Sequence, residues 1–185
     1  MFIQTEPTPN PATLKFIPGE AVLATGTADF ADPVEAARSP LARALFEIEG
    51  VARVFLGSDF ISVSKSEEQA WQILKPAVLG AIMEHYTARR PILLDEAEGD
   101  EEGSYDPADA EIVGQIKELL DTRVRPAVAQ DGGDIVFRGF EEGVVYLHMQ
   151  GACAGCPSST ATLRMGIENM LRHYVPEVLA VRPVP

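Results

Sequence analysis

The chain has 185 residues, of which 46% are apolar and 23% charged, and it carries a formal net charge of −13. That length and balance fit one large or two small globular domains, and no apolar run approaches the roughly 20 residues that span a bilayer. Neither half has the excess of Lys and Arg that phosphate contacts need, so nucleic acid and membrane are both excluded as expected partners. The opening Met1-Phe-Ile-Gln-Thr-Glu-Pro7 has no basic segment followed by an apolar core, so no secretory signal is expected. Two cysteines in so long a chain do not build a secreted disulfide framework, which points to a reducing compartment.

In chain order, Ile3 to Ile17 alternates loosely and is broken by Pro7, Pro9 and Pro11, predicting strand, turn and strand. Ser39-Pro40 followed by Leu41, Leu45 and Ile48, then Gly50, predicts a short helix capped by Ser39 and ended by Gly50. Val51 to Ser64 reads as two strands around a tight Gly57-Ser-Asp59 turn. A last helix is expected from Pro76, with Val78, Leu79, Ile82 and Tyr86 at helical spacing, because Pro76 opposes a continuous helix from Glu67. The expected N-terminal domain, residues 1–92, is thus a β-β-α-β-β-α antiparallel sheet domain.

Residues 95–106 then hold seven carboxylates and no base, against a net −3 on either side. Such a run self-repels and extends, so 93–106 is read as an acidic linker. Beyond it, residues 107–185 form the second expected domain. Asp106-Pro107 opens a helix with Ile112, Ile116, Leu119, Leu120 and Val124 on one stripe, which Pro126 can kink and Gly132-Gly133 ends. A hairpin follows around Glu141-Glu142-Gly143, then the cysteine loop, a helix from about Pro157 with Leu163, Ile167, Met170, Leu171 and Tyr174 on one face, and a strand at Glu177–Arg182. The order α-β-β-α-β gives a small sheet with helices on one face, and the whole chain reads as an α+β protein of two small layered domains.

Both cysteines lie in Gly151-Ala-Cys153-Ala-Gly-Cys156-Pro-Ser-Ser-Thr160. Two thiols can hold one edge of a metal centre, form a redox disulfide, or serve packing alone; they cannot supply the four donors of a complete zinc or iron–sulfur site. A metal centre here therefore needs a second copy of the motif or a partner protein. The loop leaves a strand and enters a helix, which aims free N–H groups and the positive helix end at Cys156 and favours the thiolate. Gly151, Ala152, Ala154 and Gly155 are small enough for close approach. The competing readings are a thiol–disulfide oxidoreductase, a zinc-bridged interaction module and a buried structural pair. Only 29 residues follow Cys156, too few for the rest of a thioredoxin-like fold. No Ser–His–Asp, phosphate-loop or paired-carboxylate pattern points to an enzyme acting on an organic substrate.

The segments Ile116–Pro126, Gln130-Asp-Gly-Gly-Asp134, Gly151–Ser159, Thr162-Leu163, Gly166-Ile-Glu168 and Pro176-Glu-Val178 resemble the NifU C-terminal, or Nfu, domain. Met1–Thr5, Thr8-Pro-Asn-Pro11, Leu14–Pro18, Ser39–Ala42 and Phe60-Ile61 resemble the N-terminal domain of mitochondrial-type Nfu proteins. The resemblance implies a non-enzymatic iron–sulfur carrier that receives a [4Fe–4S] cluster from an upstream donor, holds it between two subunits of a homodimer, and passes it to apo-proteins. Cys153 and Cys156 fall on the family's two cluster ligands. It places the chain in the cytoplasm of a bacterium, or in the mitochondrial matrix if the source is eukaryotic and the chain is processed.

Other residues are weighed against simpler roles. Asp131 and Asp134 can shape the cluster's surroundings or serve a turn, and the turn is favoured. His148 and His173 read as packed or exposed side chains rather than spare ligands. Met149, Met165 and Met170 read as core filling. Thr8–Pro11 is either a recognition loop or an ordinary turn, and Trp71 either anchors a partner or closes the first core.

Overall fold

The computed structural model describes residues 2–94, 103–154 and 157–184, with the backbone alone for 157–160. The chain divides into two compact units, Met1–Gly99 and Asp100–Pro185.

The first unit is a five-stranded antiparallel sheet in the order β1-β2-β5-β4-β3, built from β1 (Gln4–Pro7), β2 (Thr13–Ile17), β3 (Ala28–Phe30), β4 (Val51–Leu56) and β5 (Ile61–Lys65). Its register puts the apolar residues on one face. Phe16 and Leu56 both oppose Ile61, while Leu14, Val54 and Phe30 line up beside Val63. That face is covered by α1 (Pro40–Phe46) through Leu41 and Leu45, and by α2 (Trp71–Thr87) through Leu74, Val78 and Ile82. Ser39 caps α1 as expected: its hydroxyl accepts the Ala42 N–H at 3.1 Å and donates to the Ile92 carbonyl at 2.6 Å.

Two features depart from the sequence reading. The strand β3 is additional, and α2 starts at Trp71 and runs through Pro76. Pro76 is the sixth helical residue, so the carbonyl it leaves unbonded belongs to Gln72, an exposed residue of the first turn that water can serve.

The second unit is a four-stranded mixed sheet in the order β6-β7-β8-β9. Here β7 (Gly133–Glu141) and β8 (Val144–Gly151) form the antiparallel hairpin, while β6 (Ser104–Tyr105) runs parallel to β7 and β9 (Ala180–Val184) parallel to β8. The hairpin turns on Glu142 (φ 50°) and Gly143 (φ 80°), the left-handed pair of a type I′ turn. A bulge between Phe137 and Gly139 shifts the pleat by one residue. Phe140 thereby joins Ile135 and Phe137 on the core face, opposite Val145, Leu147 and Met149. Of the span read as a linker, residues 95–102 lie outside the described residues, whereas Leu93 packs on the first core and Ser104-Tyr105 is a strand of the second unit.

The first helical stretch of this unit runs α3 (Ala110–Leu119), a π turn at Leu120–Val124, and α4 (Arg125–Gln130). Pro126 has no N–H for an ordinary helical bond, and the widened turn just before it lets the Arg125 N–H reach the Leu120 carbonyl. Val113, Ile116, Leu120, Val124 and Val128 therefore stay on one stripe against the sheet. The other helix, α5 (Pro157–Tyr174), contributes Ile167 and Leu171 to the same core. Met149 is core and Met170 packs beside it, but Met165 is 58% exposed, so the core-filling expectation fails there.

Candidate functional site

The cysteine loop leaves β8 at Gly151, which takes φ 63°, a conformation suited to glycine. It lies against the turn that ends α4 and starts β7, where Gly132 takes φ 81°. Backbone bonds join the two: the Ala152 N–H donates to the Gly132 carbonyl at 3.1 Å, and the loop closes on itself through Cys153 N–H to Gln150 O at 3.3 Å and Ala154 N–H to Gly151 O at 3.1 Å. Gly133 makes this contact possible by lacking a side chain. A Cβ there would stand 2.6 Å from Cys153 Sγ, 2.9 Å from the Gln150 carbonyl oxygen and 3.1 Å from the Cys153 nitrogen.

Cys153 is only 7% exposed and belongs to the core cluster of the unit. Burial, reinforced by the negative charges of Asp131 and Asp134, pushes its thiol up to about 12. The expectation of a favoured thiolate concerns Cys156, at the start of the helix, and lies outside the described residues. Cys156, the second expected ligand, and Gly155 lie outside the described residues. Among the described residues, no group of three or more His, Cys, Asp or Glu side chains could hold a metal ion. Gly132, Gly133, Gly151 and Ala152 beside Cys153 are themselves buried, and the space that Gly133 leaves is taken by the Cys153 sulfur and the end of β8.

The other candidates fall into place around the loop or away from it. Asp134 is structural: it receives Arg125 Nε at 2.9 Å and Nη2 at 2.8 Å, and accepts the Ile135 N–H at 2.8 Å. The fork anchors α4 to the start of β7, and so fixes the turn on which the cysteine loop rests. His148, on β8, has Nδ1 3.4 Å from the Val184 carbonyl, turned to β9. His173 is exposed in the last turn of α5, edge-on to Tyr174. In the first unit, Thr8 Oγ1 donates to the carbonyls of Asn10 and Thr13, and Asn10 Oδ1 accepts the Ala12 N–H, so the Pro-rich segment is a self-bonded turn. Trp71 donates from Nε1 to the Pro11 carbonyl at 3.2 Å and packs on the first core. Gly133 is the residue that sequence reasoning missed. Its proximity to Cys153 depends on the β7–β8 register, whereas the sequence gives only a glycine pair 20 residues away.

A profile described as "Scaffold protein Nfu/NifU N terminal" matches residues 3–89, and one described as "NifU-like domain" matches residues 116–182. The human protein named NFU1 iron-sulfur cluster scaffold homolog, mitochondrial, is 54% identical over 185 residues, covering 100% of this chain and 72% of its own. The Arabidopsis thaliana protein named NifU-like protein 4, mitochondrial, is 53% identical over 184 residues, covering 98% of this chain and 65% of its own. A solution structure of a NifU-like protein from Saccharomyces cerevisiae aligns with a TM-score of 0.47 at 24% identity, over 52% of this chain and 87% of that one.

Proposed function

The chain belongs to the Nfu group of NifU-like iron–sulfur scaffold proteins, and from that premise we propose that it carries a [4Fe–4S] cluster between two copies of itself and delivers it to apo-proteins. Cys153 and Cys156 are the ligands from each subunit, and the cluster is cargo rather than a permanent group. The observation that carries this reading is the placement of the only two cysteines in one short loop, with Cys153 on a glycine-lined turn. Half of a four-thiolate set sits in each chain, so a complete set requires two. The cluster arrives from an upstream donor and leaves when incoming thiolates replace those of the carrier.

The names of the relatives, an iron-sulfur cluster scaffold and a NifU-like protein, favour the carrier over a thiol–disulfide oxidoreductase. The names of the relatives support the mitochondrial rather than the bacterial cytoplasmic setting. No described helix is long and apolar enough to cross a membrane. In this reading, residues 107–185 bind the cluster alone and residues 1–92 modulate which recipient is served.

Anaerobic incubation with iron and sulfide, followed by mixing with an apo-protein that has a complete cysteine set, tests the function. The expected result is a brown chromophore on the carrier that passes to the recipient and restores its activity. Failure to gain the chromophore, or a chromophore that never transfers, contradicts the carrier reading. Zinc uptake without iron–sulfur uptake would point to the interaction module instead.

A further inference from the structure

We infer that the cluster-free chain stows the Cys153 side chain in the core of its own unit, that the loop must swing out before the thiol can serve a cluster, and that Gly133 is the positioning residue which sets the stowed state. The inference rests on the cluster-carrier reading for its purpose, but the stowed position stands on geometry. A cluster shared with a second chain must be ligated at the outer surface. Cys153 is instead 7% exposed, grouped with the apolar side chains of the second unit's core. A side chain so placed cannot face another subunit without leaving that core.

The means of leaving are built into the two turns. The loop is held against the α4–β7 turn by the Ala152 N–H to Gly132 O bond of 3.1 Å. Both Gly132 and Gly151 sit at positive φ, so each can change its backbone conformation at little steric cost. Gly133 has no such backbone requirement, and what it supplies is space. With a Cβ at 133, Cys153 Sγ at 2.6 Å can rotate away, but the backbone oxygen of Gln150 at 2.9 Å must itself shift. Gly133→Ala therefore crowds the stowed thiol, with a lesser strain on the Gln150 carbonyl at the end of β8. The stowed thiol is shielded from reagents and stray metal, and opening becomes a step in cluster uptake.

The test uses the full-length, iron-free chain carrying Cys156→Ser, in which Cys153 is the sole thiol. Modification by a small uncharged maleimide is followed by mass spectrometry in native buffer and in denaturant at one pH. Stowage predicts a native rate at least ~100-fold below the denatured one. Native and denatured rates within about threefold of each other would overturn it. Gly133→Ala in the same background is expected to react at least ~10-fold faster while keeping its far-ultraviolet dichroism. An unchanged rate in a folded variant would overturn the role of Gly133. If that variant does not fold, amide exchange at Ala152 in the unsubstituted chain decides. Protection comparable to β8 supports the stowed loop, and exchange at the rate of unstructured chain overturns it. With both cysteines present, a folded Gly133→Ala chain should take up iron and sulfide faster than the unsubstituted chain; an equal rate would overturn opening as a step in uptake. Absence of any cluster on the unsubstituted chain would count against the carrier reading and leave the metal-free thiol result standing.

Discussion

The Thr8–Pro11 turn of the first unit and the paired glycine turns of the second are closed by opposite means. In the first, Thr8 and Asn10 hold the chain with their own side chains, and Trp71 fastens Pro11 from α2. The Thr8 hydroxyl and the Asn10 carbonyl oxygen are thus engaged within the turn. In the second, Gly132, Gly133, Gly151, Ala152 and Ala154 meet through backbone bonds, and the sulfur of Cys153 packs against Gly133. A loop closed by side chains is finished as structure. A loop closed by backbone around a thiol can let the thiol go and still refold on itself.

The sharpest way to break that comparison is to remove the thiols. Cys153→Ala and Cys156→Ser should each abolish cluster retention, measured by visible absorbance after reconstitution, while Thr8→Val should leave it unchanged. Cys153→Ser is a harsher probe, because it puts a hydroxyl into an apolar core at a cost of about 1–3 kcal/mol. Retention of a full cluster by either single variant would remove the second turn's claim to the site.

Asp134→Ala is the next largest effect. It strips Arg125 of its bidentate partner and frees the turn beneath the loop, and the expected loss is about 2–3 kcal/mol in the second unit. Amide exchange in β7 and β8 should accelerate while β2 and β5 stay unchanged; uniform acceleration would show that the two units do not respond separately. Ser39→Ala is the mirror experiment in the first unit. Loss of the α1 cap and of the bond to Ile92 should cost about 1–2 kcal/mol there, without altering cluster content.

The smallest effect is one of pH and belongs to the first unit alone. His85 is buried, and burial lowers its pKa from the ordinary value, against a smaller opposing effect of the Arg90 backbone. The unfolded chain therefore takes up the proton first. The neutral ring's contribution is complete above about pH 6.5 and is lost as pH falls from there toward the lower folded value. The first unit should lose less than about 1 kcal/mol between pH 7 and 6, seen as faster amide exchange in α2, and His85→Phe should flatten that slope. A slope unchanged by the substitution would assign the pH response to another group.

Much of this was legible from the chain. Ser39 announced α1, the alternation from Val51 to Ser64 announced β4 and β5, and the hairpin followed from its Glu-Glu-Gly turn. The strands β3 and β6 were not legible, because three and two residues are too few to show a period. Pro76 misled because its cost depends on which carbonyl it orphans, and here that carbonyl is in the exposed first turn. Of the site, the sequence showed two thiols and small neighbours. It could not show that Cys153 is buried or that Gly133 makes room for it, since both depend on how β7 and β8 pair.

Whether each chain supplies only half of a cluster is decided most directly by sedimentation of the anaerobically reconstituted protein, with iron and sulfide counted in the same fraction. The account predicts that brown material sediments as a dimer with about four irons per two chains, and that removing the iron leaves the dimer without its bridge. A brown monomer with a complete complement of iron and sulfide would contradict it.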